Sequence, residues 1–302
     1  MAAPVIALLQ RPADVPAVLP HASAFSTLVG CPLLAAIAPE EGGPAQPSPA
    51  VRAHVRAWVR AHHPKARVVA LRGELLSAAM SLVADHGATC LAQSAPASTA
   101  LVAQAPCPIL VTHERCAPAA PGPIVVPIDS SLPADGVLSA SICLAERARV
   151  PVVLLHALAP EREAPRGSRP EDWVDLLAVE HMLNDAQRQC AAHGITAEVV
   201  MRPGRAADVI VSEALRRRAR AIVMSTHART GLPRLLFGSV ASAVAAAGAT
   251  LTLLVRPGVV VCPELTLPAI ADAAAPRAAD PAGPRPTAQR ESGAAADGDA
   301  PI

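Results

Sequence analysis

Apolar residues fall along this chain in short runs, separated by longer Ala-rich stretches. In the second half the runs are Ile124 to Asp129, Val152 to Ala157, Ala197 to Met201, Ala221 to Met224 and Leu251 to Val255. Runs of this length, apolar almost throughout, read as strands buried on both faces. Between them the pattern predicts helices over Pro133 to Arg149, Pro170 to His193, Ala206 to Ala219 and Ser239 to Ala247. Proline suits the first turn of the helix that opens near 133, and Gly194 suits the end of the next. Strand alternating with helix predicts a parallel sheet covered on both faces.

The first half repeats this pattern. Val5 to Leu9 and Pro32 to Ile37 match Ile124 to Ile128 and Pro151 to His156 at a shift of 119 residues. Val68 to Gly73 and Cys90 to Ser94 match Val199 to Gly204 and Ala221 to Ser225 at a shift of 131. Pro108 to Val111 matches Thr252 to Val255 at 144. The two increases mark insertions in the second half, one after its second strand and one between its fourth strand and last helix. A duplicated unit accounts for the length. The expected architecture is α/β, with two tandem doubly wound domains, each a five-stranded parallel sheet with helices on both faces. The domains span 1–115 and 124–256, joined by a Pro-rich linker over 116–123. Residues 257–302 turn to Ala, Pro, Gly and charged residues without apolar periodicity, the composition of a disordered tail.

Composition narrows the functional classes. Aromatics make up 1% of the chain and Tyr is absent, so the cores must be built from Val, Leu, Ile and Ala. A net charge of +1 gives no reason to expect nucleic acid or an anionic membrane as partner. Seven Cys occur without a Cys-x-x-Cys pair, which indicates neither a zinc site nor a redox motif. The opening residues lack the basic segment of a signal peptide, and a cytoplasmic location with reduced thiols is expected. Leu235 to Val255 carries no charge and is long enough to span a bilayer. It is rich in Ala, Gly, Ser and Thr and ends with strand character, so no membrane span is expected.

The candidate chemistry lies in the second insertion, Ser225-Thr-His-Ala-Arg-Thr-Gly-Leu-Pro-Arg-Leu-Leu-Phe-Gly-Ser239. It joins a buried strand to a helix through a Gly-Ser pair. A helix N-terminus offers free N–H groups and attracts anions, phosphates above all. Gly238 lets backbone approach a phosphate, and Ser239 adds an N–H and a hydroxyl. The same pair also makes a plain helix cap. Arg229 and Arg234 add positive charge, and His227 sits near the phosphates in this picture. Asp129 ends the first strand of this half. Where strands one and four adjoin at the sheet's switch point, Asp129 faces the loop and accepts hydrogen bonds from a ribose or base. There is no Gly-x-x-x-x-Gly-Lys, Gly-x-Gly-x-x-Gly or Gly-x-Ser-x-Gly motif, and no ligand spacing among the His residues. No enzyme and no metal site is expected, although slow incidental nucleotide hydrolysis stays open.

These residues resemble the universal stress protein family in a tandem form. The clearer match is residues 123–256, through Ile124-Val-Val-Pro-Ile-Asp129, Leu154-Leu-His156 and the loop to Gly238-Ser239; the first half resembles a degraded copy. The resemblance implies five parallel strands per domain, pairing through the last strand and, in one branch, ATP binding. That branch carries Gly-x-x-Gly, nine residues, then Gly-Ser or Gly-Thr. Here the spacing holds, but Ser225 and Ala228 replace the two leading glycines. The resemblance implies a nucleotide site of Asp129, Ala157, Ser225, His227, Ala228, Arg229, Gly238 and Ser239. In the first half Gln10 replaces the acid and the loop is missing, so one adenine nucleotide per chain is expected. The two halves are expected to pair as an internal pseudo-dimer, with a further homodimer open. The alternative is a nucleotide-free scaffold of the same type whose site has decayed.

Overall fold

The computed structural model describes residues 2–40, 46–117, 120–129, 135–158, 170–226 and 238–256, without the side chains of 135 and 170–176. The first half runs β1 (Val5–Leu9), α1 (Asp14–Val29), β2 (Leu33–Ile37), α2 (Pro49–His62), β3 (Arg67–Ala70), α3 (Leu75–His86), β4 (Cys90–Ser94), α4 (Thr99–Gln104) and β5 (Ile109–Thr112). The second runs β6 (Ile124–Pro127), α5 (Asp135–Ala148), β7 (Val152–Leu158), α6 (Pro170–Ala192), β8 (Ala197–Pro203), α7 (Ala206–Arg216), β9 (Ala221–Ser225), α8 (Ser239–Ala247) and β10 (Leu251–Val255). The uncharged run from Leu235 divides, in its described part, into α8 and β10. No described helix is long and apolar enough to cross a membrane.

Each half is a five-stranded parallel unit, but the two do not stand as separate sheets. All ten strands form one sheet in the order β3-β2-β1-β4-β5-β10-β9-β6-β7-β8. The halves join at a seam where β5 and β10 run antiparallel, with Leu110 opposite Leu253 and Ile109 opposite Leu254. Two strand edges that would otherwise present unpaired N–H and C=O groups satisfy each other there. Side-chain contacts reinforce the seam. The Arg256 guanidinium donates to the Ala105 carbonyl at 2.9 Å, and the Cys116 thiol donates to the Gly248 carbonyl at 3.4 Å.

The alternation within strands explains the layers. In β1, Val5, Ala7 and Leu9 enter one core while Ile6 and Leu8 enter the other. The first core packs against α1, α2, α5 and α6, the second against α3, α4, α7 and α8. Each fully buried Val, Leu or Ile contributes roughly 1.5–3 kcal/mol, which is how a chain almost without aromatics holds a sheet this wide.

Two local features position the site. The expected helix from Ala206 stops at Arg216, before Ala219, because Arg218 takes a left-handed backbone with φ of 49°. Near its end Glu213, 4% exposed, accepts from Arg216 at 2.6 and 3.0 Å and from Arg217 at 2.5 Å. Arg217 also reaches Glu198 on β8 with two bonds of 2.6 Å. This network fastens α7 to the sheet. In addition, Gly122 passes so near the following turn that a β-carbon on it would lie 2.1 Å from the Arg218 carbonyl oxygen.

Candidate functional site

In the second half, β6 pairs with β7 on one side and β9 on the other, so the winding direction reverses at β6. The β6–β9 ladder is short, with Ile124 opposite Ala221 and Val125 opposite Ile222. Beyond it the carboxyl ends separate, and a cavity of about 160 Å³ opens between them. Ligands of open α/β sheets sit at such a crevice.

Five of the eight residues expected at the site line this one cavity: Asp129, Ala157, Ser225, Gly238 and Ser239. Asp129 follows β6 and is exposed. Ala157 lies near the end of β7, and Ser225 ends β9. Gly238 caps α8 with φ −57° and ψ 139°, and Ser239 is the first helical residue. The remaining three, His227, Ala228 and Arg229, lie outside the described residues, as does Arg234.

Gly238 has a structural reason to be glycine that phosphate approach does not exhaust. Its N–H donates to the Thr226 carbonyl at 3.0 Å, and a β-carbon on it would lie 3.0 Å from the same oxygen. Thr226 in turn donates its N–H to Val255 at 3.1 Å and is 1% exposed. The two ends of the inserted loop are therefore clamped together beside β10. The clamp aims the first turn of α8 into the crevice.

The cavity walls divide by chemistry. Ile210, Met224 and Val137 make apolar surface, while Asp129, Ser225 and Ser239 stand on the polar side. His156 also lines it. Its Nδ1 donates to the Ile128 carbonyl at 2.7 Å, since a carbonyl only accepts. That bond fixes the ring plane. The arrangement suits a flat, largely apolar group with polar edges and a neighbouring anion. Among the described residues no group of three or more His, Cys, Asp or Glu is placed to hold a metal.

Sequence reading missed Thr226, His156 and the apolar wall. For Met224 a signal existed: Ile222 and Met224 share strand parity and face the core packed by α7 and α8. For Ile210 and Val137 none did, because they come from helices whose placement over the crevice is a tertiary fact.

The first half differs at the same place. There β4 ends at Ser94 and α4 starts at Thr99, whereas β9 ends at Ser225 and α8 starts at Ser239. Gln10 donates its N–H to Asp14 at 2.9 Å and its amide to the Pro39 carbonyl at 2.9 Å. Asp14, 3% exposed, also accepts from the Arg11 N–H and the Ser94 hydroxyl, each at 2.8 Å. A carboxylate of the chain itself thus takes up the donors at the ends of β1 and β4. Gln93 stands where the second half has Met224.

The family comparison bears on the half that carries the loop, and the structural comparisons on both halves. Residues 122–256 match the universal stress protein family. No curated protein matches the sequence. A functionally unknown protein from Pseudomonas aeruginosa PAO1 is similar over 85% of this chain and 93% of its own, at 17% identity and a TM-score of 0.58. A universal stress protein from Archaeoglobus fulgidus DSM 4304 is similar over 83% of this chain and 96% of its own, at 13% identity and a TM-score of 0.52. At these identities the likeness establishes the shared fold, a mostly parallel sheet flanked by helices. A further universal stress protein from Archaeoglobus fulgidus, solved in complex with dAMP, is 26% identical over 44% of this chain and 97% of its own, with a TM-score of 0.35. The half matched by the family is the one that carries the β6–β9 crevice and the clamped loop.

Proposed function

We propose that the stress-protein half binds one adenine nucleotide, ATP in the first instance, in the crevice between β6 and β9. Asp129 takes hydrogen bonds from the ribose or base, and Ala157 flanks the base beside the apolar wall. Ser225, Gly238 and Ser239 stand at the phosphate end, where His227, Ala228 and Arg229 complete the loop. The observation that carries this reading is the convergence of Asp129, Ala157, Ser225, Gly238 and Ser239 on one cavity at the switch point. The protein is read as a cytoplasmic, non-catalytic stress-response protein of two tandem domains, its first domain a degenerate copy that completes an internal pseudo-dimer. Support for a single site comes from Asp14, which engages the donors of the first half.

A second reading has its own support in the sequence. Ser225 and Ala228 stand where the ATP-binding branch has glycine, which favours a nucleotide-free scaffold built on the β5–β10 seam. The nucleotide content of freshly purified protein, followed by calorimetric titration with ATP, separates the two. The first reading expects about one nucleotide per chain, and about tenfold weaker ATP binding in Asp129→Ala. A nucleotide-free preparation that gives no heat with ATP refutes it. ATP binding gained only when Ser225→Gly and Ala228→Gly are combined establishes the scaffold reading.

A further inference from the structure

On the sheet face that carries α1 and α5, the seam between the halves is not filled. A cavity of about 210 Å³ lies there. Phe25 and Leu28 of α1 and Leu144 of α5 form its walls, and Leu110, Leu251 and Leu253 of the seam strands form its floor. An apolar cavity of about 150 Å³ stays dry and accepts benzene, so this one has room for a hydrocarbon chain. A helix with its side chains is about 10 Å across, too wide to enter.

Apart from the Thr27 hydroxyl the lining is apolar, and one charged residue belongs to it, Arg220. Its Nε is buried without a hydrogen-bond partner. The ion pairs among the described residues engage Arg216 and Arg217 nearby but not Arg220. The backbone holds Arg220 in place: its N–H donates to the Pro123 carbonyl at 2.9 Å, and its carbonyl accepts from the Thr250 hydroxyl at 3.3 Å. The position 131 residues earlier is Thr89, whose hydroxyl donates to the Ala3 carbonyl at 2.7 Å. The cation therefore stands on one side of the seam only. A half-buried cation with its Nε unpaired, set in an apolar wall, is a point where an anion gains a charge-assisted hydrogen bond.

We propose that the seam cavity binds a small amphiphile, a single unbranched apolar chain with one carboxylate head. The chain lies between α1, α5 and the β5–β10 floor, and the head pairs with the Arg220 guanidinium. Charge complementarity selects the head and the cavity's size and apolar lining select the tail. Arg220, Ala221 and Ile124 mark the amino ends of β9 and β6, whereas the nucleotide crevice opens at their carboxyl ends. The two sites are separate, and the seam site does not depend on the nucleotide reading.

The test is calorimetric titration of the full chain with octanoate and, in parallel, with octanol. Octanoate is expected to bind at one site, about tenfold more tightly than octanol, the difference that one charge-assisted hydrogen bond produces. Arg220→Gln removes that preference and leaves octanol binding as it was. Ala24→Phe, at a residue lining the cavity, blocks both ligands. Circular dichroism melts establish that each variant is folded, and either variant alone suffices. Saturating ATP changes neither titration. Absence of octanoate binding by the parent protein overturns the proposal. So does octanoate binding that a folded Arg220→Gln or Ala24→Phe variant leaves unchanged.

Discussion

Replacing Glu213 by Gln tests whether the network at the end of α7 holds that helix on the sheet. The substitution keeps the side-chain volume and removes the charge. The Arg216 guanidinium, and after it Arg217, hold the Glu213 carboxyl down at about 2, against a usual value of 4.5 and against the opposing push of burial. Taken at face value, that depression corresponds to about 3 kcal/mol of stability. The Arg216 side chain is 57% exposed, so water screens the largest contribution. Arg217 keeps its two bonds to Glu198 in the variant. A loss of about 1–2 kcal/mol at neutral pH is therefore expected rather than the larger cost of a broken buried pair. The sign follows from the folded value lying below the unfolded one. The stabilisation is complete above about 4.5 and fades as the pH falls toward about 2, where both states are protonated. Urea unfolding of parent and variant at neutral pH, and in steps down through that window, measures the gap. A Glu213→Gln protein as stable as the parent at neutral pH refutes the reasoning. So does a gap that fails to close as the pH falls.

Gly238→Ala sets two terms against each other. A φ of −57° accommodates Ala, which stiffens the unfolded chain to the folded state's benefit by about 0.4–1 kcal/mol. The β-carbon presses on the Thr226 carbonyl and weakens a hydrogen bond by about 0.5–1.5 kcal/mol. The melting temperature is expected to stay nearly unchanged while ATP affinity falls, because Ser239 moves; an unchanged affinity in calorimetry removes the clamp from the site. Burial pushes the Cys107 and Cys190 thiols up to about 11. At pH 8 only about one in a thousand of each is then thiolate. Both should resist iodoacetamide in native protein and react in urea, as mapped by mass spectrometry, and labelling in the native state contradicts the packing described.

Local pattern carried most of the fold. Val5–Leu9, Cys90–Ser94 and Leu251–Val255 fall where the apolar runs place them, because a strand buried on both faces leaves few alternatives to apolar residues, and the Ala-rich helix Ser239–Ala247 falls between its Gly-Ser start and Gly248. The end of α7 was not legible, since it depends on Arg218 taking a left-handed turn that its residue type does not announce. The fusion of two sheets into one was absent from the apolar pattern, and pairing through the last strand was expected only from the family resemblance. Leu110 and Leu253 read as ordinary strand residues, and only their antiparallel pairing makes them a seam. At the site, Gly238 and Ser239 stood out through loop spacing and Asp129 through its strand end. Ile210 and Val137 did not, because periodicity reports which face of a helix is buried and not what it is buried against.

The seam has a consequence for how the two halves can differ. In a sheet built from two identical chains every substitution is made twice, at symmetry-related places, and a residue that suits one side must suit the other. Here the partners are one polypeptide, and each position changes once. Gln93 can stand where the other half has Met224, Asp14 can take up the donors of one crevice while Asp129 lines the other, and Arg220 can stand where the first half has Thr89, all without altering the Leu110–Leu253 contact that joins them. Covalent tethering thus separates the conditions for assembly from the conditions for recognition, and lets one molecule carry two unlike surfaces on a nearly symmetric frame.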